Sequence, residues 1–308
     1  MSSVDYVKAI IKNVEVRLQE KGRILLSGAT TPMSSDYKPE LDRMHKLDSD
    51  GITMYQELIG ELRWTIEIGR VDILHEVSVL SSYQAAPREG HLEQLLHIFA
   101  FLKKHPKLTL YFDPSYANID PSSFTGSTAK EFRDQYRGAK EEIPKNRPKP
   151  RGRLVQIVAF VDAAHASDKM TRRSHKGYII FVNRAPIIWY SKRQTTVESS
   201  TFSSEYIALK TCVEHIIGIK FKLMMFGIPI DGEARILNDN KSVVDSSSKL
   251  EHTLNKKHSS IAYHLVRWNV AAEVVRIGWI EGISNMADAL TKRLTAARRS
   301  NLFGDWTY

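Results

Sequence analysis

The 308-residue chain reads as an α/β protein, a mixed sheet flanked by helices, preceded by a mostly helical region. Three observations carry this expectation. From residue 154 onward, short runs of β-branched and aromatic residues alternate with segments of helical period. Most of residues 3–104 instead place apolar residues at helical spacing. Between these regions, residues 113–153 are rich in proline, serine and basic residues, as expected of a boundary.

In the first region, Val4, Val7, Ile10, Ile11, Val14 and Leu18 mark one face of a helix over 3–20. Lys21 and Gly22 supply a basic last turn and a glycine stop. Residues 23–48 read as loop. A second helix starts near Gly51 with Tyr55, Leu58, Ile59, Leu62 and Ile66 on one face, and Gly69 interrupts it. A third runs from about Val71 towards Pro87, and a fourth from His91 to before Pro106. LTLYF (Leu108 to Phe112) alternates like a short strand. The expected organisation is a helical region 1–112, a proline-rich basic linker 113–153, and an α/β domain 154–308. Within the linker, EFRDQYRGAKEE has the composition of a short helix, and EEIPKNRPKPRGR that of a solvated connector.

Five strands are expected in the last region, over 154–163, 178–184, 187–191, 234–238 and 275–281. A long helix fills about 203–226, a short one follows Asn240, another spans about 256–273, and a last one starts at Asn285. The first strand lies in LVQIVAFVDAAHASD (Leu154 to Asp168) and ends on Asp162. An acid inside an apolar strand is costly to bury unless something neutralises it. Three more acids have comparable settings: Glu205 early in the long helix, Asp239 closing ARILNDN, and Asp288 in ADALTKRL. Carboxylates delivered by separate elements to one place suit a pair of hard divalent cations such as Mg²⁺, with Mn²⁺ as a substitute.

The order of these acids resembles the ribonuclease H fold with its four-acid site. The surrounding blocks narrow the resemblance to copia-type retrotransposon Pol polyproteins. GYIIFVNRAPIIWYSKRQTTVESSTFSSEYIAL, NDNKSV, NKKHSSIAYH and MADALTKRL follow in that family's order. TTPM, YQELIGELRW, GRVDI, PREGH and HIFAFLKKHP resemble the segment between polymerase palm and ribonuclease H, the thumb and connection region. Val71 departs from the proline usual there. No two aspartates are adjacent anywhere, so the aromatic-x-Asp-Asp turn of a palm is missing and polymerase activity is not expected of this chain alone.

The resemblance implies a five-stranded ribonuclease H-like sheet and a two-metal endonuclease that cuts the RNA strand of RNA–DNA hybrids. It implies that Asp162 bridges both ions, that Glu205 and Asp239 ligate the ion on the leaving-group side, and that Asp288 ligates the ion that activates water. By motif position, Lys192, Arg193, Gln194, Ser204 and Asn240 become candidate contacts to nucleic acid, and Lys256, Lys257 and His258 form a basic cluster suited to phosphates or to an ordinary solvated helix start. Four carboxylates without cations repel one another, so raised pKa values are expected. Two departures stand out. Ser203 replaces an acid common two residues before the glutamate, and the loop GISN (Gly282 to Asn285) lacks a product-release histidine, which implies modest turnover.

Net charge is +9, which favours a polyanionic partner; charge alone fits an ordinary basic protein equally well. A single cysteine, Cys212, excludes an intrachain disulfide framework and a Cys-rich zinc site. His258 and His264 are six apart, not the i, i+4 of a helical zinc pair, and the Ser199–Ser204 cluster lacks a G-x-S-x-G elbow. His165 reads as peripheral, and Trp189 and Trp268 as packing residues. No apolar run approaches 20 residues and no signal-peptide h-region is present, so no membrane role is expected and the location is intracellular, a cytoplasmic particle or the nucleus. Alternatives to the nuclease are a non-catalytic nucleic-acid-binding remnant, or a domain that works only beside the polymerase part of the same polyprotein.

Overall fold

The computed structural model describes residues 3–252, 254 and 259–304. Helix α1 (Val4–Glu20), α2 (Ser49–Glu67), α3 (Leu74–Leu80) and α4 (Glu89–Lys104) form the helical part. The Asp48 carboxylate caps α2 by accepting from the Gly51 amide at 2.8 Å. Gly69 ends that run in the left-handed region at φ +117°. The apolar stripes of α1, α2 and α4 meet in one core containing Val14, Tyr55, Leu58, Leu62, Leu95 and Phe99. No strand forms over LTLYF; Thr109 and Leu110 make isolated bridges only, and Leu110 is buried beneath the sheet.

The second part holds β1 (Ile157–Ala164), β2 (His175–Val182), β3 (Ala185–Arg193), β4 (Ala234–Asn238) and β5 (Val275–Trp279). The expected mixed five-stranded sheet is present in the order β3-β2-β1-β4-β5. The β1–β2 and β2–β3 pairs are antiparallel, whereas β4 is parallel to β1 and β5 to β4. Both faces are covered, which explains why the strands read as continuous apolar runs. On one face Ala159, Val161, Tyr178 and Ile180 pack under α6 (Thr201–Met225) and α8 (Ser260–Ala271). On the other, Val158, Phe160, Ile179 and Phe181 meet Val71, Leu110, Leu290, Leu302 and Phe303.

Segment 113–153 is exposed or half-buried over most of its length and anchored at three buried residues, Phe124, Phe132 and Ala139. Helix α5 (Ala129–Gln135) buries Phe132 in the sheet's main core, and the Arg267 guanidinium sits 4.7 Å from that ring. Phe124 packs against the opposite face, and residues 145–154 are exposed throughout. Apolar residues spaced among prolines thus anchor the crossing to both layers. The helical part docks on the same sheet: Ser78 donates to the Ser191 carbonyl at 2.8 Å, and Trp189 packs against both cores. Among the described residues, no helix is long and apolar enough to cross a membrane.

Candidate active site

Asp162 lies within the buried part of β1, two residues before its end, and α6 starts where Ser200 caps the helix, accepting from the Ser203 amide at 3.2 Å. That start places Glu205 in the first turns of α6, pointing at β1. Asp239 follows the last residue of β4, which runs parallel to β1 and so ends at the same edge. One carboxylate oxygen each from Asp162, Glu205 and Asp239 lies within 4.8 Å of the others, with Asp162 and Glu205 buried and Asp239 half-buried. Oxygen donors so close together suit a hard divalent cation.

Asp288 comes to the same edge by a different route. The helix expected from Asn285 is instead a 3₁₀ turn, Met286–Leu290, and the next α-helix is Ala296–Phe303. The turn is tied down because Asn285 accepts from the Ala287 amide at 3.1 Å and donates to the Val161 carbonyl at 3.0 Å, while Ser191 donates to the Leu290 carbonyl at 2.7 Å. Asp288 stands outside the close triad. Its carboxylate accepts from Lys292 at 2.6 Å and faces Arg298 at 3.5 Å. The same Lys292 ammonium reaches Asp162 at 3.2 Å.

The electrostatics follow from this crowding. Burial pushes the Asp162 carboxyl up to about 6, with Lys292 pulling it down and Asp288 pushing it up. Glu205 stands well above the usual carboxylate range, through burial and then the Asp162 charge, although the Asn238 amide offsets part of this by donating to it at 3.2 Å. Asp239 is raised as well, by burial, with Lys292 opposing and Asp288 adding. Burial alone would lower the Lys292 ammonium, but Asp162 and Asp288 more than offset it and hold the lysine charged. The Thr291 hydroxyl also donates to Asp162.

The other candidates are placed unevenly. Lys192 is exposed on β3, and Arg193 is half-buried in an ion pair with Asp168 at 2.8 Å. Gln194 is only 2% exposed and donates to the Ser204 carbonyl at 2.8 Å. Ser204 is fully buried and donates to the Thr201 carbonyl. These two therefore shape the start of α6 from inside, a correction to their expected surface role. Asn240 caps the helix Lys241–Ser248, its side chain accepting from the Val243 amide at 3.3 Å. Lys256, Lys257 and His258 lie outside the described residues. His165 is near Ser174 at 3.5 Å, and Cys212 is a buried free thiol in α6. A cavity of about 210 Å³ beside the acids is shared with the helical part, its walls including His75, Tyr83, His175, Arg193 and Lys292. A separate cleft of about 900 Å³ is lined by Phe160, Trp279, Glu281 and Ile283 and by none of the four acids.

Sequence reasoning passed over Lys292, Thr291, Asn238 and Asn285. One signal was available: Lys292 falls four residues after Asp288, a spacing at which opposite charges meet. No family model matches the chain. It is 25% identical over 284 residues to the retrovirus-related Pol polyprotein from transposon RE1 of Arabidopsis thaliana, covering 92% of this chain and 17% of that protein. It is 26% identical over 238 residues to the corresponding polyprotein from transposon TNT 1-94 of Nicotiana tabacum, covering 77% of this chain and 15% of that one.

Its homologues are copia-type, retrovirus-related Pol polyproteins of transposons. The chain spans under a fifth of the length of these Pol polyproteins. Its α/β part is a mixed five-stranded sheet with flanking helices. Among solved structures it is similar to the N-terminal ribonuclease H domain of a Mycobacterium tuberculosis protein, determined as a fusion with maltose-binding protein. That match has a TM-score of 0.34 and 16% identity, and covers 49% of this chain and 98% of the other.

Proposed function

We propose that this Pol-related chain is a metal-dependent endonuclease that hydrolyses the RNA strand of RNA–DNA hybrids. The observation that carries the reading is the convergence of Asp162, Glu205 and Asp239 within 4.8 Å, with Asp288 joined to Asp162 through Lys292. Buried acids with raised proton affinity form a donor set that fits Mg²⁺ or Mn²⁺, because bound cations remove the repulsion that burial intensifies. Divalent ions bound there would supply a water nucleophile at neutral pH and charge stabilisation for the departing oxygen.

The protein's own part is to hold the donors in place. Asn238 donates to both Glu205 and the Val161 carbonyl, fixing the glutamate against β1. Thr291 holds Asp162, and Asn285 ties the loop after β5 to β1. Lys192, exposed on the edge strand, is the best placed of the described candidates to meet a phosphate, while Arg193 is engaged by Asp168. Selection of a hybrid would rest on groove shape and on 2′-hydroxyl contacts. The polymerase part of a longer Pol protein is the natural partner for such an activity.

The test is cleavage of a labelled hybrid in Mg²⁺ by the wild type and by Asp239→Asn. The wild type is expected to cut only the RNA strand, and the variant to bind hybrid but cut at least about a hundredfold more slowly, the scale on which preorganised charge acts. A wild type that binds without cutting would instead establish a binding remnant.

A further inference from the structure

Three acids of the site, Asp162, Glu205 and Asp239, approach one another within 4.8 Å, whereas the fourth stands outside that group. Asp288 is turned towards an ammonium that also touches Asp162, at 2.6 and 3.2 Å. We propose that Lys292 is a tethered counter-cation, its ammonium filling the place between Asp162 and Asp288 that a divalent ion would take, so that loading on this side requires the lysine to leave. The proposal rests on the reading that these acids hold metal ions.

The burial pattern supports it. Asp162 is 1% exposed, so water cannot solvate its charge and a positive group must stand against it in the metal-free protein. The Lys292 side chain is 40% exposed, so its four-carbon stem has a path to solvent. Arg298 is less suited to exchange: its guanidinium also donates to the carbonyls of Gly282, at 2.8 Å, and Ile283. An ion and an ammonium cannot share one carboxylate pair at close range without strong repulsion. The side formed by Asp162, Glu205 and Asp239 is therefore ready first, and the Asp288 side loads second, at higher ion concentration. Before any ion arrives, the lysine keeps the acidic cluster from forcing the edge of the sheet apart.

The experiment is calorimetric titration of the full chain with Mg²⁺ or with Mn²⁺, for the wild type, Lys292→Met and Lys292→Arg, together with thermal melting with and without ions. The methionine variant keeps the stem and removes the charge. Its weaker ion site is expected to tighten by about tenfold or more, while the arginine variant stays as weak as the wild type. Without ions, Lys292→Met should melt below the wild type, and saturating Mg²⁺ should close the gap. Unchanged or weaker ion affinity in Lys292→Met, with two ions bound by the wild type, overturns the proposal but leaves the metal reading intact. A methionine variant that stays unfolded even in saturating Mg²⁺ also overturns it, because an ion would then not replace the ammonium. If folded wild type and variant both bind no ion, the metal reading itself falls and takes the proposal with it.

Discussion

Gly177 lies directly opposite Asp162 in the antiparallel β1–β2 ladder, and the space where its side chain would be is taken by the turn that carries Asp288. A Cβ at this position would stand 2.8 Å from both the Leu290 Cβ and the Thr291 Cγ2. Both neighbours belong to the segment that brings Thr291 and Lys292 to Asp162. Gly177→Ala is therefore expected to push that segment off the sheet. Overpacking of this kind costs about 1–3 kcal/mol. Urea unfolding should register the loss of stability, and hybrid cleavage should fall by more than that loss explains, because the fourth acid moves with the turn.

The raised carboxyls make metal-free stability depend on pH in a defined direction. Asp162 takes up its proton near 6 in the fold but near its ordinary value of 3.8 when unfolded, through burial first. Between those values the folded state binds more protons, so stability is greatest below the unfolded value and declines as pH rises through about 6. Glu205 and Asp239 act in the same sense. Melting curves from pH 4 to 8 should show this decline in the wild type and a smaller one in Asp162→Asn. Saturating Mg²⁺ should remove it, since an ion favours the deprotonated acids.

The helical part is joined to the end of the chain by a buried ion pair. Glu76 on α3 faces Arg299 at 3.1 Å, with side chains 2% and 6% exposed. Burial raises the Glu76 carboxyl and Arg299 opposes that rise. Removing one partner strands the other charge away from water, at a cost of about 3–5 kcal/mol. Arg299→Ala is expected to lower the urea midpoint strongly, and limited proteolysis should then cut between the helical and α/β parts sooner than in the wild type.

Two neighbouring residues of β3 and the following loop should behave differently towards nucleic acid. Lys192→Ala is expected to weaken hybrid binding and to reduce the slope of log affinity against log salt by about 1, as for one lost phosphate contact. Gln194→Ala should leave that slope unchanged, because its amide is spent inside the protein on Ser204. Binding isotherms at several salt concentrations separate the two.

Much of the architecture was legible in the residues. The run over 234–238 was expected as a strand and is β4, Ala234–Asn238, because five residues between turn signals are too few for a packed helix. The four acids stood out because ionisable groups beside apolar strands and helix starts demand neutralisation. The last segment was harder: MADALTKRL has helical composition, yet it forms a 3₁₀ turn because contacts from Ser191, Asn285 and Gly177 hold it against the sheet. The short helix around Phe132 was legible in EFRDQYRGAKEE, but its docking in the sheet's main core was not, because one aromatic among charges gives no apolar stripe.

Local pattern alone determined that this chain has a helical first part, a strand-and-helix second part, and acids at the ends of separate elements. Apolar periodicity is a property of neighbours along the backbone, so it survives in the bare sequence. Only the tertiary structure decided that three of those acids meet closely, that Lys292 stands between the fourth and Asp162, and that Gln194 and Ser204 face inward. Charge pairing and burial depend on distances between elements far apart in the chain, and those distances exist only once the sheet has closed around its core.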